Sequence, residues 1–464
     1  MTSTTPPPAG DTSWFTTARF GLFIHWGLFS MTGRDFAHQR ETAMAAEDYA
    51  ARYLPRFDPD LYDPEAWADA AAQAGMKYVV IIAKHHEGFC LWDSRHTDFT
   101  AVNTPAGRDL LRPMLDAFRA RGLRTGLYYS LIDWHHPDFT VDQIHPQAHG
   151  DRAQLNAGRD MNRYREFVRD QVRELLTDYG PIDVFWPDYS YDDAAWEHRS
   201  SSPRSKAAFL EAVKTGWTRF DPAVDPGKGA ADWDAAGLLE LVRELQPHIL
   251  VNDRMGGDFD IVTPEQAVPG TWPTLGDGTP AVWETCETMY GHWGYTPAMP
   301  NLKSPEQLVA LLIEIVSKGG NLLLNVGPNG RGEIDPPSVE RLASIGRWMR
   351  LHGRSIHGCT QAPAELVGSL PPGTLATYNP QAHRLYLHLL HWPTQPLVVP
   401  GLGEHVDYAQ FLHDGAEVRP PSHPLELLHA PDPDALWLEL PIAKPDVTVP
   451  VIELFLSGER ERAR

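Results

Sequence analysis

Five apolar runs of this 464-residue chain each end in side chains that could bind a polar ligand or transfer a proton. The densest is IIAKHHEGFCLWDS, residues 81–94, in which an apolar run leads into a lysine, two histidines and an acid. The candidate residues at these ends are His25, His85, His86, Tyr128, Trp186, Asp188 and Arg254. Fixing several polar side chains at one place costs conformational entropy, which a bound ligand can offset. The pattern therefore predicts one functional site, provided that the runs end on the same side of the fold.

Helix-like segments separate these runs, and this alternation predicts a parallel sheet of the α/β class. Five runs are clear and two more are candidates, at residues 19–27, 77–86, 123–130, 182–188, 248–254, 282–288 and 321–327. Their alternation with helices fits a (β/α)8-like TIM barrel. Because the C-terminal ends of barrel strands form one face that carries the active site, the polar residues are expected to meet there.

The hydrophobic pattern and the residue composition change after about Gly358. No long helical pattern follows, prolines are frequent, and short alternating runs such as HRLYLHLLHW, residues 383–392, predict an antiparallel β-sandwich. The expected organisation is a disordered N-terminal tail at 1–13, a catalytic barrel at 14–358 and a C-terminal β-sandwich at 359–464. A long polar insertion at 189–233 follows the fourth run, and loops of this length are usually functional or disordered.

The composition of the chain narrows the range of partners. Acidic residues outnumber basic ones by 61 to 40, and the formal charge of -21 argues against binding to nucleic acid or to an anionic membrane. Cys90, Cys286 and Cys359 are too few and too scattered for a zinc cluster or a disulfide framework, which favours a reducing compartment. The N-terminus resembles no export signal and no run approaches a membrane span, so a cytoplasmic protein is expected. The sequence leaves the oligomeric state open, and a homo-oligomer is one of the alternatives.

Aromatic rings and histidines without a phosphate-binding signature favour a sugar ligand, because pyranose C–H faces stack on rings and sugar hydroxyls need donors and acceptors. The glycine-rich stretch 319–332 flanks a predicted strand instead of opening a helix, so it lacks the context of a phosphate loop. A metal-dependent hydrolase is the main alternative. Neighbouring residues of a strand point to opposite sides, so His85 and His86 are expected to be poorly placed to chelate one ion. The sequence contains no HExxH or HxH motif, and neither a metal nor a cofactor is expected.

Seven segments between about Trp14 and Gly358 resemble, in order, the family 29 glycoside hydrolases, which are retaining α-L-fucosidases. The segments are ARFGLFIHWGLFS, KHHEGFCLWDS, GLYYSLIDWHHPDF, VFWPD, VNDRMGGDFDIVTPEQ, WETCETMYGHWGY and SKGGNLLLNVGPNGRG. The resemblance implies a somewhat irregular barrel followed by a β-sandwich. It also implies that terminal α-L-fucose is hydrolysed from glycans or small glycosides with retention, by double displacement and without a cofactor.

A retaining glycosidase needs two carboxyl groups about 5 to 5.5 Å apart, one as the nucleophile and one as the acid and then the base. Asp188 matches the family's nucleophile in its Trp-x-Asp motif and ends the fourth apolar run. Glu265, in DIVTPEQAVP, is similar in position to the acid/base of bacterial members. Glu284, in WETCET, is the rival, because family members differ in the loop that supplies this group and Trp283 could raise its pKa by excluding water.

The remaining candidates are substrate contacts that the resemblance implies: His25, Asp35, His85, His86, Tyr128, Trp186, Arg254 and Trp293. The histidines and the arginine would bind ring hydroxyls, Tyr128 and Trp186 would form walls, and Trp293 would meet the C5 methyl group. Asp35 stands where many relatives carry a longer Glu before a Trp, so Glu41 could make that contact instead. A carbohydrate-binding protein built on a decayed hydrolase barrel is a further alternative. It would require the loss of one catalytic carboxylate, and both candidate positions are acidic.

Overall fold

Seven parallel strands form the main sheet of the computed structural model, which describes residues 9–192, 227–299, 301–366, 370–420 and 434–457. The strands are β1 Phe20–Ile24, β2 Tyr78–Lys84, β3 Arg124–Ser130, β4 Val184–Asp188, β5 Leu250–Val251, β6 Glu284–Thr288 and β7 Asn321–Val326. Their order is β5-β4-β3-β2-β1-β7-β6, and each of the seven predicted runs contains one of them. Most of the predicted insertion at 189–233, and residues 1–8 of the predicted tail, lie outside the described residues.

The segment 261–265 lies between the two edge strands of this curled sheet. Isolated parallel bridges join Ile261 to Asn252, directly after β5, and Glu265 to Cys286 on β6. A further parallel bridge joins Val262 to the residue before β6. The segment therefore spans the gap between β5 and β6, which confirms an irregular TIM-like barrel. It also places Glu265 among the strand ends.

Eleven α-helices of the described residues accompany the strands. They are α1 Ser13–Ala18, α2 His38–Glu41, α3 Ala46–Tyr53, α4 Pro64–Gln73, α5 Leu111–Ala120, α6 Arg152–Leu155, α7 Met161–Asp178, α8 Ala230–Trp233, α9 Ala235–Leu245, α10 Pro305–Ser317 and α11 Pro336–His352. The helices α4, α10 and α11 begin alike, with Asp63, Ser304 or Asp335 accepting a backbone hydrogen bond before a proline at the first helical position. These caps satisfy N–H groups that a helix start leaves unpaired. None of the described helices is long and apolar enough to cross a membrane.

Alternation along the strands divides the buried side chains between the barrel interior and the outer layer of helices. Phe23 on β1 and Tyr78 on β2 belong to the interior cluster, whereas Leu22 and Ile24 pack outward. The ring of Tyr78 covers Gly21, where a Cβ atom would lie 2.4 Å from the ring. The interior below the strand ends is therefore filled with described side chains, and the cavity lies above them at the mouth of the barrel.

The C-terminal region is a β-sandwich, as predicted. Its strands are β8 Thr360–Gln361, β9 Thr374–Asn379, β10 Arg384–Leu389, β11 Leu397–Val399, β12 Val406–Phe411, β13 Leu436–Leu438 and β14 Val451–Leu456. An antiparallel sheet of order β12-β14-β10-β9-β8 and the pair β11-β13 enclose a separate apolar cluster. The indole Nε1 of Trp348, on α11, donates to the carbonyl of Val449 at 2.9 Å, which ties the barrel to the sandwich.

Candidate active site

A cavity lies at the C-terminal ends of the barrel strands. All but two of the predicted site residues line it: His25, His85, His86, Tyr128, Trp186, Asp188, Arg254, Glu265 and Trp293. Phe23, Phe36, Tyr189 and Cys286 complete the lining. The two exceptions are Asp35 and Glu284. Asp35 lies behind the cavity wall, and Glu284 lies below the cavity floor. The barrel brings together residues as distant in sequence as His25 and Trp293, because its strands end at one face.

Asp188 ends β4 at the cavity and is 7% exposed. One carboxylate oxygen, Oδ2, accepts a hydrogen bond of 2.9 Å from the Tyr128 hydroxyl. The other, Oδ1, lies 3.2 Å from Nη1 of Arg254. Burial and the charge of Asp188 raise the pKa of Tyr128 well above its ordinary value, so this tyrosine remains a donor. The carboxylate is therefore fixed by two partners that favour its ionised form.

The guanidinium of Arg254 joins the two candidate catalytic carboxylates. The Nη1 atom that lies 3.2 Å from Asp188 also donates to Oε2 of Glu265 at 2.7 Å. Nε and Nη2 donate to the hydroxyl and carbonyl oxygens of Thr263 at 3.0 and 3.1 Å, which fixes the orientation of the fork. Burial alone would lower the pKa of Arg254, but the charges of Glu265 and Asp188 hold it well above its ordinary value. One nitrogen atom between two carboxylates keeps them close together, as retaining chemistry requires.

The two carboxylates differ in their access to solvent. The side chain of Glu265 is 41% exposed, whereas that of Asp188 is 10% exposed. Glu265 lies on the bridged segment 261–265, at the rim of the cavity, and Asp188 lies deeper. Water and a departing group can therefore reach Glu265 from outside.

His25 and His86 carry their ring hydrogen on Nδ1. In each ring this atom contacts a side-chain oxygen, Oδ1 of Asn325 at 2.6 Å and Oγ of Ser130 at 2.7 Å. Asn325 and Ser130 each donate their own hydrogen to a backbone carbonyl, so their oxygens accept from the histidines. Burial lowers the pKa of His25 to about 3 and that of His86 well below its ordinary value. Both rings are therefore neutral at pH 7, and Nε2 carries no hydrogen and can accept a hydrogen bond from a ligand.

His85 and His86 lie on the same side of the chain, so the expectation that they point to opposite sides is wrong. Their ring centroids are 4.2 Å apart, and both rings line the cavity. The alternation of a strand no longer applies, because β2 ends at Lys84 and the chain turns as Gly88 N–H donates to the carbonyl of His85. His85 stacks on Tyr128 with centroids 5.3 Å apart, and burial lowers its pKa to about 4. Within the described residues, no three His, Cys, Asp or Glu side chains are arranged to hold a metal ion.

Asp35 supports the cavity wall from behind. Its carboxylate accepts hydrogen bonds from the backbone N–H groups of Phe36, Trp293 and Gly294 at 2.8, 3.2 and 2.7 Å. A Cβ atom on Gly294 would lie 2.8 Å from Oδ1 of Asp35, so this close approach requires glycine. Burial would raise the pKa of Asp35, but His292 and the backbone donors hold it below its ordinary value. The carboxylate thus positions Trp293, and its predicted contact with a sugar hydroxyl stays a prediction.

Glu284 lies in the barrel interior and is 1% exposed. Its carboxylate accepts a hydrogen bond of 3.2 Å from Nε1 of Trp186 and another from the hydroxyl of Tyr78. Glu284 and Cys286 share the inward face of β6, and Cys286, which is nearer the strand end, lines the cavity. Burial raises the pKa of Glu284 to about 7, against the effect of its two hydrogen bonds. The indole of Trp186 therefore lies between Glu284 and the cavity.

Sequence reasoning assigned no role to the groups that orient the histidines or to part of the lining. Ser130 and Asn325 lie at the ends of β3 and β7, where the same strand-end signal that identified Asp188 was available. Phe36 and Tyr189 follow other candidate site residues in loops, where no periodicity indicates the direction of a side chain. The site therefore contains more supporting groups than its motifs indicate.

The fold and the cavity together define a class of protein. A TIM-like barrel with two carboxylates at its mouth, neutral histidines and aromatic walls has the features of a glycoside hydrolase. The family model described as alpha-L-fucosidase matches residues 8–354. The chain belongs to the α-L-fucosidase family.

Individual relatives agree with this assignment. The chain is similar to tissue alpha-L-fucosidase from Mus musculus, with 28% identity over 414 residues that cover 83% of this chain and 79% of the relative. Among solved structures, alpha-L-fucosidase isoenzyme 1 from Paenibacillus thiaminolyticus is 40% identical, with a TM-score of 0.84 and coverage of 96% of this chain and 99% of that one. The α-fucosidase of Thermotoga maritima, solved with a mechanism-based inhibitor, is 27% identical, with a TM-score of 0.69 and coverage of 95% and 96%.

Proposed function

We propose that this protein hydrolyses terminal α-L-fucosides with retention, with Asp188 as the nucleophile and Glu265 as the acid/base. The observation that carries this proposal is the position of Nη1 of Arg254, which contacts both carboxylates at the cavity. The cavity is blind, because Trp186 and Tyr128 belong to the packed interior below it. A blind cavity accepts a single terminal sugar, which supports exo-acting hydrolysis of fucosylated glycans or small fucosides.

In the first step, an Asp188 oxygen attacks the anomeric carbon and Glu265 gives its proton to the leaving oxygen. Asp188 is ready to attack because Tyr128 and Arg254 hold its carboxylate ionised and in place. The covalent ester that forms removes the negative charge of Asp188. Arg254 then has Glu265 as its nearest charged partner, which favours the ionised form of Glu265 as that residue loses its proton.

In the second step, ionised Glu265 takes a proton from water, and the resulting hydroxide equivalent attacks the anomeric carbon from the face opposite the ester. Its 41% exposure gives this water a route to the site. Release of fucose restores the charge of Asp188, and Arg254 is again shared between two carboxylates. The negative charge of Asp188 opposes ionisation of Glu265 before the attack and is absent from the ester, so Arg254 favours ionised Glu265 more strongly at the second stage.

The test is turnover of an aryl α-L-fucoside by the wild type, Asp188→Ala and Glu265→Ala. Asp188→Ala should lose several orders of magnitude in kcat with an unchanged melting temperature. Glu265→Ala should lose far more activity on poor leaving groups than on activated aryl groups, and azide should restore its turnover with formation of α-fucosyl azide.

Three outcomes would contradict the proposal in different ways. Near-normal activity of folded Asp188→Ala would remove this residue from the mechanism. Fucose binding without turnover by the wild type would favour the carbohydrate-binding protein. Loss of turnover after EDTA, restored by zinc, would favour the metal-dependent hydrolase, whereas the proposed mechanism predicts that chelators leave activity unchanged.

We also propose that the protein is cytoplasmic and that its catalytic and sandwich domains meet near residue 358. Cys90, Cys286 and Cys359 are buried and unpaired, which supports a reducing compartment. The separate apolar clusters of the barrel and the sandwich support the boundary. Cell fractionation tests the location, limited proteolysis tests the boundary, and light scattering tests whether a homo-oligomer forms.

A further inference from the structure

Glu284 is buried next to Trp186, a residue that lines the cavity. Trp186 in turn contacts the two residues that bind the carboxylate of the proposed nucleophile. Oε1 of Glu284 accepts the hydrogen of Trp186 Nε1 at 3.2 Å, and Oε2 accepts a hydrogen bond from Tyr78. Tyr78 lies in the interior cluster and is held by its packing over Gly21. Glu284 is thus anchored on one side and holds the indole of Trp186 on the other.

The Trp186 ring supports the two groups that bind Asp188. Tyr128 stacks on it with centroids 5.6 Å apart and an interplanar angle of 22°. The guanidinium carbon of Arg254 lies 4.8 Å from the centroid of the same ring, in cation–π contact. Tyr128 donates to one oxygen of Asp188, and Arg254 lies beside the other. A rotation of the indole would therefore displace both partners of Asp188.

We propose that Glu284 is a positioning residue that fixes the Trp186 ring and, through Tyr128 and Arg254, the carboxylate of Asp188. This inference rests on the proposed role of Asp188 as the nucleophile. Glu284 does not line the cavity, so it acts on the reaction through Trp186 and does not transfer a proton to the substrate. It differs in this from the acid/base role that its place in WETCET suggested.

The charge of Glu284 makes this support sensitive to pH. Ionised Glu284 accepts charge-assisted hydrogen bonds from both Trp186 and Tyr78, whereas the protonated form holds the indole through a weaker hydrogen bond between neutral groups. Burial raises the pKa of Glu284 to about 7, so the two forms exchange near neutral pH. The titratable groups that face it are Tyr78, Arg254 and Cys286, and Tyr78 and Cys286 both have pKa values raised well above their ordinary values. Glu284 is therefore the group in this cluster that titrates near pH 7.

The first test compares Glu284→Ala with Glu265→Ala on aryl fucosides of graded leaving-group acidity. Glu284→Ala should lower kcat about ten- to hundredfold for good and poor leaving groups alike, because the attack of Asp188 is impaired in every case. Azide should not restore its activity. A selective loss on poor leaving groups with azide rescue would overturn the proposal and make Glu284 the acid. Failure of the Asp188 assignment is separate, because it would appear as an active Asp188→Ala variant.

The second test uses Glu284→Gln, which keeps the shape of the side chain and an oxygen that can accept from Trp186. The amide is neutral like protonated Glu284, so this variant should have, at every pH, the lower kcat that the wild type has below pH 7, and its kcat should not change near pH 7. Trp186→Phe removes the indole donor, so Glu284→Gln should have no further effect on kcat in that background. Additive losses in the double variant would show that Glu284 does not act through Trp186.

A matched control is Glu287→Gln on the same strand. Glu287 is also largely buried, but it pairs with Lys303 and does not line the cavity. Its substitution should leave the leaving-group dependence and the pH profile of kcat unchanged. Equal shifts in the profiles of Glu284→Gln and Glu287→Gln would assign the effect to general loss of a buried charge and overturn the proposal.

Discussion

Two groups of buried histidines in this protein have similar electrostatics and different surroundings. The mouth histidines are His25, His85 and His86, and the junction histidines are His352 on α11 and His388 on β10. Burial lowers the pKa of His85 and of His352 to about 4, and that of His25 and of His388 to about 3. A depressed histidine pKa is therefore no mark of an active site in this molecule.

The difference lies in what the second ring nitrogen meets. His352 donates from Nδ1 to the carbonyl of Trp348, and His388 binds the hydroxyl of Thr377 through Nε2. Their remaining nitrogens are buried and have no hydrogen-bond partner in the described part of the chain. At the mouth, Nε2 of His25 belongs to a ring that lines a cavity with two carboxylates. Both groups of histidines are buried, but only the mouth histidines line a cavity that a ligand can enter.

We expect the largest loss of kcat/KM in a comparison of two arginines, Arg254 at the mouth of the barrel and Arg354 at the junction with the sandwich. Arg254 contacts two carboxylates and Thr263 through a buried fork, and a lysine cannot make these contacts together. Arg254→Lys should therefore lower kcat/KM about a thousandfold, on the scale of losing a charged transition-state support. Arg354 pairs with Glu453 at the junction and its side chain is 56% exposed, so Arg354→Lys should leave kcat/KM unchanged. Steady-state kinetics of both variants tests the contrast, and similar losses would break it.

A smaller effect is expected from a mouth histidine. His86→Phe keeps an aromatic ring between Phe36 and Trp134 but removes the Nε2 atom that we propose as an acceptor for a sugar hydroxyl. A hydrogen bond of this kind contributes about 1 to 3 kcal/mol, so kcat/KM should fall about ten- to hundredfold. The melting temperature should change by only a few degrees. A large loss of stability with unchanged kcat/KM would mean that His86 behaves like a junction histidine.

The site residues that end strands were predictable from the sequence, and those whose depth or direction depends on a turn were not. Asp188 and Arg254 follow apolar runs that had to be strands, and the barrel then fixes where they meet. The position of Glu284 was not predictable, because its depth depends on which β6 residue reaches the strand end. The shared orientation of His85 and His86 depends on a turn after β2 that strand periodicity does not describe.

We expect a lower pH to destabilise the folded protein at the junction between barrel and sandwich, because the two neutral histidines there are protonated more readily in the unfolded chain. The pKa values of His352 and His388 in the folded protein lie below the ordinary value of about 6.5, so the unfolded chain binds more protons in this range. Their contribution to stability is constant above about pH 6.5 and falls as the pH decreases toward about 4 and 3. His388→Gln can still donate to Thr377 and does not titrate. Its melting temperature should therefore fall less between pH 7 and pH 5 than that of the wild type, with unchanged kcat/KM at pH 7.

We expect the smallest change in kinetics from a substitution of Asp35. This residue is buried like the junction histidines, but it binds the backbone of the cavity wall. Its two oxygens accept from the backbone of Phe36, Trp293 and Gly294, and Asp35→Asn keeps one of these oxygens while placing an NH₂ group against N–H donors. Trp293 should then move within the wall, so KM should rise a few-fold while kcat changes little. Azide should have no effect on this variant, because no proton transfer is impaired. A fall in kcat with unchanged KM would mean that Asp35 supports the reacting carboxylates instead of the wall that Trp293 forms.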